Sequence, residues 1–502
     1  MQKFTAFRKA RISELINTLT TTPHFVCAGR SLPFTNENQP PAVVDSMSQQ
    51  YELREGMMFG KKVAADDAIA MCRRVEYDLT GQTVYAPYDD QDAALASKNY
   101  YVITRDRNVY KCLSNNQGAP STSEPTDTDP LDVVKTADGY VWRYLYTVPA
   151  NVDSKFAIAG SMPVLANSAV QAAATSGILS FQVVHAGSGY ATYGTGQVVS
   201  TSSNTSTTTV RVSNDLPAAN NFFNGCAFYV TTGTGAGLLE SIQRYVSNTS
   251  GRFVVLGSAS IASSVDPTSS FLIAPNVVVT GAGSGFKGYL DIDPSSNTAR
   301  GVWVVNPGTG YSYANAAIVA NTSIGVGAVV RPILPPIGGH GIDPVVELPT
   351  DRVGVSVSFA NNQLGTIPTE VTYRSVSLIS NPTRFANNQA YVDSTFDSTW
   401  RMEISVPGGV PFALHEEVSS GDGATGTVSF ANTSLVILSQ VRGIFANLQV
   451  ITGRTTGVVA TIQALNTPDV NRYSGQLLYA AHATPISRAP DTTETVRLTF
   501  NL

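Results

Sequence analysis

The stretch Asp138-Gly-Tyr-Val-Trp-Arg-Tyr-Leu-Tyr-Thr-Val-Pro149 alternates aromatic and non-aromatic residues with the period of a β-strand. One face of this strand carries Tyr140, Trp142, Tyr144 and Tyr146, and the other carries Val141, Arg143, Leu145 and Thr147. Asp138-Gly139 is a turn signal before the strand, and Pro149 ends it. Such a strand buries an aromatic row and leaves phenol and indole polar atoms to form hydrogen bonds at its edge. The pattern predicts a scaffold or interface strand.

The length and the charge of the chain limit the classes of protein it can belong to. At 502 residues it is too long for one ordinary core, so we expect two to four domains. Charged residues make up only 14% of it, and the formal net charge of −5 is spread without a long basic block. Nucleic-acid binding normally needs a basic patch. We expect no nucleic-acid partner, no signal peptide and no membrane insertion, since no run of eighteen apolar residues occurs.

Residue types that bind metals are scattered along the chain. Metal ligation needs clustered donors, whereas the five histidines and four cysteines lie far apart and form no CxxC pair. Cys27 and Cys112 lie in apolar runs, where a free cysteine behaves as a small hydrophobe. His340, in Gly-Gly-His-Gly, is interpreted as a structural loop histidine. We therefore expect a reducing compartment, no metal site, no cofactor and no disulfide framework.

Residues that could catalyse a reaction are equally sparse. Asp291 and Asp293 stand two residues apart on one strand face, as a glycosidase pair does, but a solvated strand end before Pro294 is the preferred interpretation. The strained GxSxG elbow of a serine hydrolase does not occur. The sequence therefore predicts no catalytic residue and a protein that is not an enzyme.

The hydrophobic periodicity predicts one helix followed by strands and loops. Residues 4–19 carry apolar side chains at helical spacing. Residues 165–335 are rich in Gly, Ser and Thr, and a Pro/Gly-rich linker follows at 335–350. Five short strands between residues 403 and 464 predict a small barrel-like module. The expected fold is mainly β, multi-domain and rich in β-sandwiches, with a short N-terminal helix and two β insertions.

A strand followed by Gly-x-Gly and an aromatic residue recurs three times in the Gly-rich region. The three copies end at Tyr190, Phe286 and Tyr311. A phosphate-binding loop needs a helix N-terminus after the glycines, and polar strand-like sequence follows them instead. We interpret each copy as a tight turn whose glycines take positive φ, with the ring folded back onto the strand. In the alternative interpretation the three rings are exposed and bind a glycan.

Five segments, taken in order, point to one family. The first is His24-Phe-Val-Cys-Ala-Gly-Arg-Ser-Leu-Pro-Phe-Thr-Asn-Glu-Asn38, and the second extends the aromatic strand to Asp138–Val152. The others are Arg374–Pro382, Ser474–Tyr479 and Glu494–Phe500. They resemble the segments FGRS-P(W/F)--NEN, DGYVWEYLFEIPPDV, ISIITNP, SGEMIY and EEINILFTF of the T-even-type phage baseplate wedge protein that forms a dimer. The resemblance covers residues 1–165, 345–385 and 470–502.

The resemblance implies a structural role in a virus particle. Expected properties are a homodimer in the virion tail baseplate, assembled in the host cytoplasm, with other baseplate wedge proteins as neighbours. Such a wedge subunit must hold in the resting tail and reorient on contraction, which requires interfaces that can be exchanged. The regions without a counterpart in the family, 165–340 and about 385–470, resemble β modules of phage tail proteins and are expected to face a tail fibre or the host surface.

These arguments predict five domain segments and two groups of site residues. The segments are 1–165 and 341–385 as scaffold, 166–340 and 386–470 as insertions, and 471–502 as C-terminal scaffold strands. Candidate interface residues in the loop 29–41 and on the aromatic face are Gly29, Arg30, Asn36, Glu37, Tyr140, Trp142, Tyr144 and Tyr146. Ordinary intrachain core is the preferred alternative for Trp142 and Tyr144.

Two other functions stay open from the sequence. The first is a receptor- or carbohydrate-binding tail protein, whose glycan-facing aromatic residues would be Tyr190, Phe286 and Tyr311. The second is a tailspike depolymerase that would use Asp291 and Asp293. The sequence has no long regular β-helix repeat, which makes this second alternative the weaker one.

Overall fold

A computed structural model describes residues 5–194, 196–361 and 367–502 of the chain, and strands dominate it. The chain forms two compact units, each discontinuous in sequence. Unit 1 comprises the described residues within 1–72, 151–163 and 350–502, and unit 2 comprises those within 73–150 and 164–349. The expected mainly β, multi-domain fold with a short N-terminal helix is confirmed.

Five α-helices are short and lie between strands or before them in the described chain. The N-terminal helix covers Thr5–Thr21 and buries Ile12 and Leu19, two of the apolar residues that predicted it. Phe4, the first residue of the predicted helix, lies outside the described residues. The remaining helices are Met47–Glu55, Ala150–Lys155, Ser168–Ala173 and Pro344–Glu347.

Unit 1 contains a sandwich of two sheets. The order of the first sheet is Thr395–Asp397, Met57–Lys62, His24–Gly29, Thr372–Ser380 and Gln476–Ser487. The order of the second is Thr493–Asn501, Arg352–Ala360, Ala68–Arg73 and Ser161–Pro163. The ring of Phe59 contacts the ring of Phe359 edge-on, with centroids 5.2 Å apart, so the two sheets bury aromatic side chains between them. Every residue of the central strand His24–Gly29 is buried, as its continuous apolar sequence requires.

A closed six-stranded barrel forms the second part of unit 1. Its order is Trp400–Ser405, Leu435–Arg442, Thr425–Ala431, Glu417–Ser420, Val450–Gly453 and Val459–Asn466. The predicted barrel-like module is confirmed, with one strand more than expected. The additional strand, Glu417–Ser420, has Val418 as its one apolar residue, so its hydrophobic pattern is too short to recognise. Thr383–Arg384 pairs with Val470–Asn471 beyond the two ends of the barrel segment.

Unit 2 contains the aromatic strand and the Gly-rich region. The aromatic strand lies in a sheet with the order Tyr101–Ile103, Asn108–Asn115, Tyr140–Thr147 and Val134–Lys135. A six-stranded sheet has the order Ser200–Ser203, Thr208–Val212, Gly251–Leu256, Leu239–Asn248, Ala227–Thr232 and Ser270–Ala274. A four-stranded sheet has the order Thr298–Thr309, Ser284–Asp293, Asn276–Gly281 and Ala314–Val319. Ser180–Ser188 pairs with Val326–Ile333.

Both faces of the aromatic strand are covered. Tyr140 stacks on Trp142 with ring centroids 5.5 Å apart, and the four aromatic side chains of the row are buried. Arg143 and Leu145, which the period places on the opposite face, are buried as well. The Tyr140 hydroxyl donates to the carbonyl of Ala119 at 2.5 Å, as the edge position predicts. The indole nitrogen of Trp142 does not follow this expectation, since it has no hydrogen-bond partner in the described part of the chain.

Candidate functional site

The C-terminal segment forms an outer strand in each sheet of the unit 1 sandwich. In the described residues, Gln476–Ser487 pairs along one side only, with Thr372–Ser380, and Thr493–Asn501 likewise with Arg352–Ala360. The segment between the two outer strands is fastened by a buried arginine. Two sandwich edges therefore present unpaired backbone N–H and C=O groups.

Arg488 holds the corner between the two outer strands. Its side chain is fully buried and forms an ion pair with Glu494 at 2.9 Å. The guanidinium also donates to the carbonyl oxygens of Pro368 at 2.8 Å and Asn361 at 2.7 Å. A guanidinium group is planar and has five N–H donors, so it can donate to several acceptors that lie on different segments. The corner fixes where one outer strand ends and the next begins.

The longer outer strand, Gln476–Ser487, has no charged side chain along its length. Its twelve residues, QLLYAAHATPIS, include no Lys, Arg, Asp or Glu, and none of them is buried. The Leu478 side chain is 49% exposed. Natural edge strands are usually protected from pairing by charges, prolines or bulges. Here Pro485 stands close to the C-terminal end, and the register with Thr372–Ser380 shifts at Leu478, so the apolar first half contains a bulge but no charged side chain.

The loop after the central strand of unit 1 is held by close backbone packing. A Cβ atom at Gly29 would lie 2.8 Å from the carbonyl oxygen of Gly56, so the site accepts only glycine without a shift of the backbone. Arg30 has φ +59° and forms an ion pair with Glu52. Its guanidinium lies 4.1 Å from the ring centroid of Phe34. Gly29 and Arg30 are thus occupied by contacts within unit 1.

The remainder of the loop binds to the same sandwich. Buried Arg374 donates to the Glu37 carboxylate at 2.6 Å, and this hydrogen bond lowers the pKa of Glu37. The His482 imidazole lies 2.8 Å from the carbonyl oxygen of Pro41, which ties the loop to the outer strand. Asn36 is exposed. Of the four candidate interface residues in this loop, the structure brings Gly29, Arg30 and Glu37 into intrachain contacts and leaves Asn36 at the surface.

The four aromatic candidates Tyr140, Trp142, Tyr144 and Tyr146 lie in the core of unit 2. Trp142 packs edge-on against Tyr85, with ring centroids 5.5 Å apart, and Tyr144 packs against Tyr110 at 5.6 Å. None of the four side chains is exposed for contact with a second subunit.

The Gly-x-Gly turns fold their aromatic rings inward. Gly187, Gly189, Gly308 and Gly310 have positive φ, as does Gly285 but not Gly283. A Cβ atom at Gly187 would lie 2.7 Å from the Tyr190 ring, and one at Gly308 would lie 2.9 Å from the Tyr311 ring. The rings take the space that glycine leaves open. The glycan-facing alternative is therefore wrong for Tyr190 and Tyr311, which are 3% and 4% exposed, while Phe286 is half-buried.

A buried ion pair fastens the Pro/Gly-rich segment 335–350, which the sequence predicted to be a linker. Lys111 and Glu347 pair with both side chains fully buried. The Glu347 carboxylate also accepts a hydrogen bond of 2.6 Å from the backbone amide of Gly341. His340 is buried beside Tyr88, with ring centroids 5.1 Å apart, and burial holds its pKa well below the ordinary value. Lys111 lies in an alternating strand pattern, so no sequence signal marked it as buried.

The two carboxylates considered for catalysis are engaged separately. Asp291 forms an ion pair with Arg300 at 2.8 Å. Asp293 accepts a hydrogen bond of 2.8 Å from the backbone amide of Ser295. Hydrogen bonds from Ser295 lower the pKa of Asp293. A glycosidase acid needs a raised pKa. This turn does not provide one at Asp293.

No family model matches the chain, and no curated protein matches its sequence. Cys27, Cys72, Cys112 and Cys226 are buried thiols that are not joined in disulfides. The described part of the chain contains no group of three or more His, Cys, Asp or Glu side chains placed to hold a metal ion. It also contains no helix long and apolar enough to cross a membrane.

Proposed function

We propose that this protein is a non-enzymatic structural subunit of a contractile phage tail baseplate wedge, which dimerises and assembles with other wedge proteins. The observation that carries the proposal is the exposed outer strand Gln476–Ser487, an apolar edge that a partner strand would cover. The five ordered segments that resemble the wedge family support the location in a baseplate. Four of these segments, at 24–38, 374–382, 474–479 and 494–500, contribute to the unit 1 sandwich.

Pairing of two copies through Gln476–Ser487 has a defined geometry. At about 3.3 Å per residue, the twelve-residue strand is roughly 40 Å long. Two identical strands that pair antiparallel are related by a two-fold axis, so the contact is self-complementary and closed. Main-chain hydrogen bonds supply affinity, and Leu478 and Tyr479 supply apolar contact. The first sheet of one sandwich then continues into the first sheet of the partner.

This type of contact suits a particle that must rearrange. A ladder of edge hydrogen bonds is more limited in area than a fused hydrophobic core, so it can be broken and remade without unfolding either subunit. Switching transitions in large assemblies commonly consist of rigid-body movements at such interfaces. The sandwich and the barrel keep their own cores during the exchange.

Light scattering on the full chain tests the dimer. We expect twice the monomer mass for the wild-type protein and the monomer mass for Leu478→Lys, because a charge on the outer strand opposes pairing. Leu79→Lys is the matched control, since Leu79 is also exposed but belongs to unit 2. A wild-type protein that stays monomeric at high concentration contradicts the proposed assembly, as does a Leu478→Lys variant that stays dimeric.

Electron microscopy of the whole particle tests the location. Gold labelling of a tag on the protein is expected to mark the baseplate of the contractile tail and to move with the wedge on contraction. Label on the capsid, or no label on the particle, contradicts the baseplate assignment even if the dimer is found.

A further inference from the structure

A cleft of about 620 Å³ lies within unit 2, between the segment 131–141 and the strand Thr298–Thr309. This volume is within the range of about 300–1,000 Å³ that is typical of small-molecule sites. The cleft is separate from the outer strands of unit 1 and from the Gly-x-Gly aromatic rings Tyr190 and Tyr311. The side chains that matter for its chemistry are Lys135, Ser180, Asp291, Arg300 and Trp303.

Lys135 and Trp303 form the first part of the cleft. The Lys135 ammonium lies 3.5 Å from the ring centroid of Trp303, a distance typical of a cation–π contact. Desolvation lowers the pKa of Lys135, and the nearby carboxylates of Asp291 and Asp132 act in the opposite direction. Trp303 stacks on Tyr289 with centroids 6.2 Å apart, yet 37% of Trp303 is exposed. The cleft thus offers an ammonium group and part of an indole surface.

Ser180, Asp291 and Arg300 form the second part. Asp291 and Arg300 are joined by one hydrogen bond of 2.8 Å and are both partly exposed, so each keeps capacity for another partner. Ser180 is only 6% exposed, and its hydroxyl has no hydrogen-bond partner among the described residues. A buried hydroxyl without a partner is costly.

From this arrangement we infer that the cleft binds an uncharged saccharide. Sugar hydroxyls both donate and accept, so one ligand can donate to Asp291 and accept from Lys135 and Arg300. An uncharged ligand can leave the Asp291–Arg300 ion pair intact, because its hydroxyl groups can bond to either partner without replacing the other. The exposed part of the indole suits the apolar C–H surface of a pyranose ring. The inference goes beyond an assembly role and does not depend on it.

Tryptophan fluorescence of the full chain can follow this site. The protein has three tryptophans, and Trp142 and Trp400 are buried, so acrylamide quenches Trp303 selectively. An array of uncharged hexose and N-acetylhexosamine oligosaccharides, with carboxylated oligosaccharides and monosaccharides as separate arms, identifies the probe for titration. We expect an uncharged oligosaccharide to change the emission saturably and to protect it from acrylamide. Trp303→Phe is expected to abolish the signal.

Substitutions in the cleft decide whether this is the site. Lys135→Met and Asp291→Asn are each expected to weaken binding at least tenfold. Lys98→Met is the matched control, since Lys98 is in unit 2 and outside the cleft, and it should bind as the wild type does. Unchanged circular dichroism and melting temperature show that the variants are folded. Preference for carboxylated sugars, binding of monosaccharides alone, unchanged affinity of the variants, or no binding on the array each overturns the inference.

Discussion

Asp397 makes the stability of unit 1 depend on pH in a predictable direction. The residue precedes the first barrel strand, and its backbone amide donates to the Asp469 carboxylate at 2.8 Å, just after the last barrel strand. Its Oδ1 atom accepts hydrogen bonds from Thr399, whereas its Oδ2 atom has no hydrogen-bond partner in the described chain. Arg401 is 3.9 Å from Oδ2. Burial raises the pKa of Asp397 from 3.8 to about 7.

The size of the effect follows from that change in pKa. Each unit corresponds to about 1.36 kcal/mol, so the ionised form of Asp397 costs the folded state about 4 kcal/mol. Because the folded state holds the proton more tightly than the unfolded state, the penalty is absent below about pH 4. It grows as the pH rises from about 4 to 7, and it is complete above that value. Asp397→Asn has no proton to lose and should lack this loss of stability.

Hydrogen exchange in the barrel strand Leu435–Arg442 measures this free energy locally, which avoids the assumption that a 502-residue chain unfolds in one step. Between pH 5 and pH 8 we expect the wild-type protein to lose about 2–3 kcal/mol relative to Asp397→Asn, because the smaller, first part of the penalty is already present at pH 5. Asp491→Asn, which removes an exposed carboxylate of unit 1, should behave as the wild type does. Equal pH dependence of the wild type and Asp397→Asn would refute the reasoning.

Two further predictions concern unit 2 and use hydrogen exchange of its strands as the measurement. Lys111→Met leaves the Glu347 carboxylate buried without its partner and should cost about 3–5 kcal/mol, whereas Lys111→Met/Glu347→Gln should recover most of that loss. If the double variant is as unstable as the single one, the buried charge is not the cause. Gly325→Ala places a methyl group into the Tyr190 ring and should cost about 2–5 kcal/mol. Gly237→Ala, which also has positive φ but open space, should cost only about 1–2 kcal/mol.

Local patterns predicted the elements that depend on nearby residues. The N-terminal helix, the aromatic strand and the turns at Tyr190 and Tyr311 were all recognisable, because period and glycine content act within about ten residues. The small barrel was recognisable for the same reason, apart from Glu417–Ser420. That strand pairs with its neighbours Thr425–Ala431 and Val450–Gly453. Its own four residues include too few apolar side chains to predict a strand.

Burial by residues that are distant in the sequence explains why the Lys111–Glu347 ion pair was not predicted. Lys111 sits in the run Val109-Tyr-Lys-Cys-Leu113, where alternation places a lysine on an outer face. The residue that buries it, Glu347, is 236 positions away. Segment 335–350 likewise reads as a linker because proline and glycine normally mark loops. Only the fold brings Lys111 and Glu347 together. The two residues then form a buried ion pair, and removal of one partner has a large energetic cost.

The same reasoning explains why Tyr190 and Tyr311, which follow Gly-x-Gly turns, are not exposed to a glycan. Turns are usually exposed, so an aromatic residue after Gly-x-Gly looks available to a ligand. The missing glycine side chains, however, open space into which Tyr190 and Tyr311 fold. Trp303 lies within a long strand, where alternation alone does not show whether a ring is covered. Its exposure depends on the cleft beside the segment 131–141, which lies far from Trp303 in the sequence.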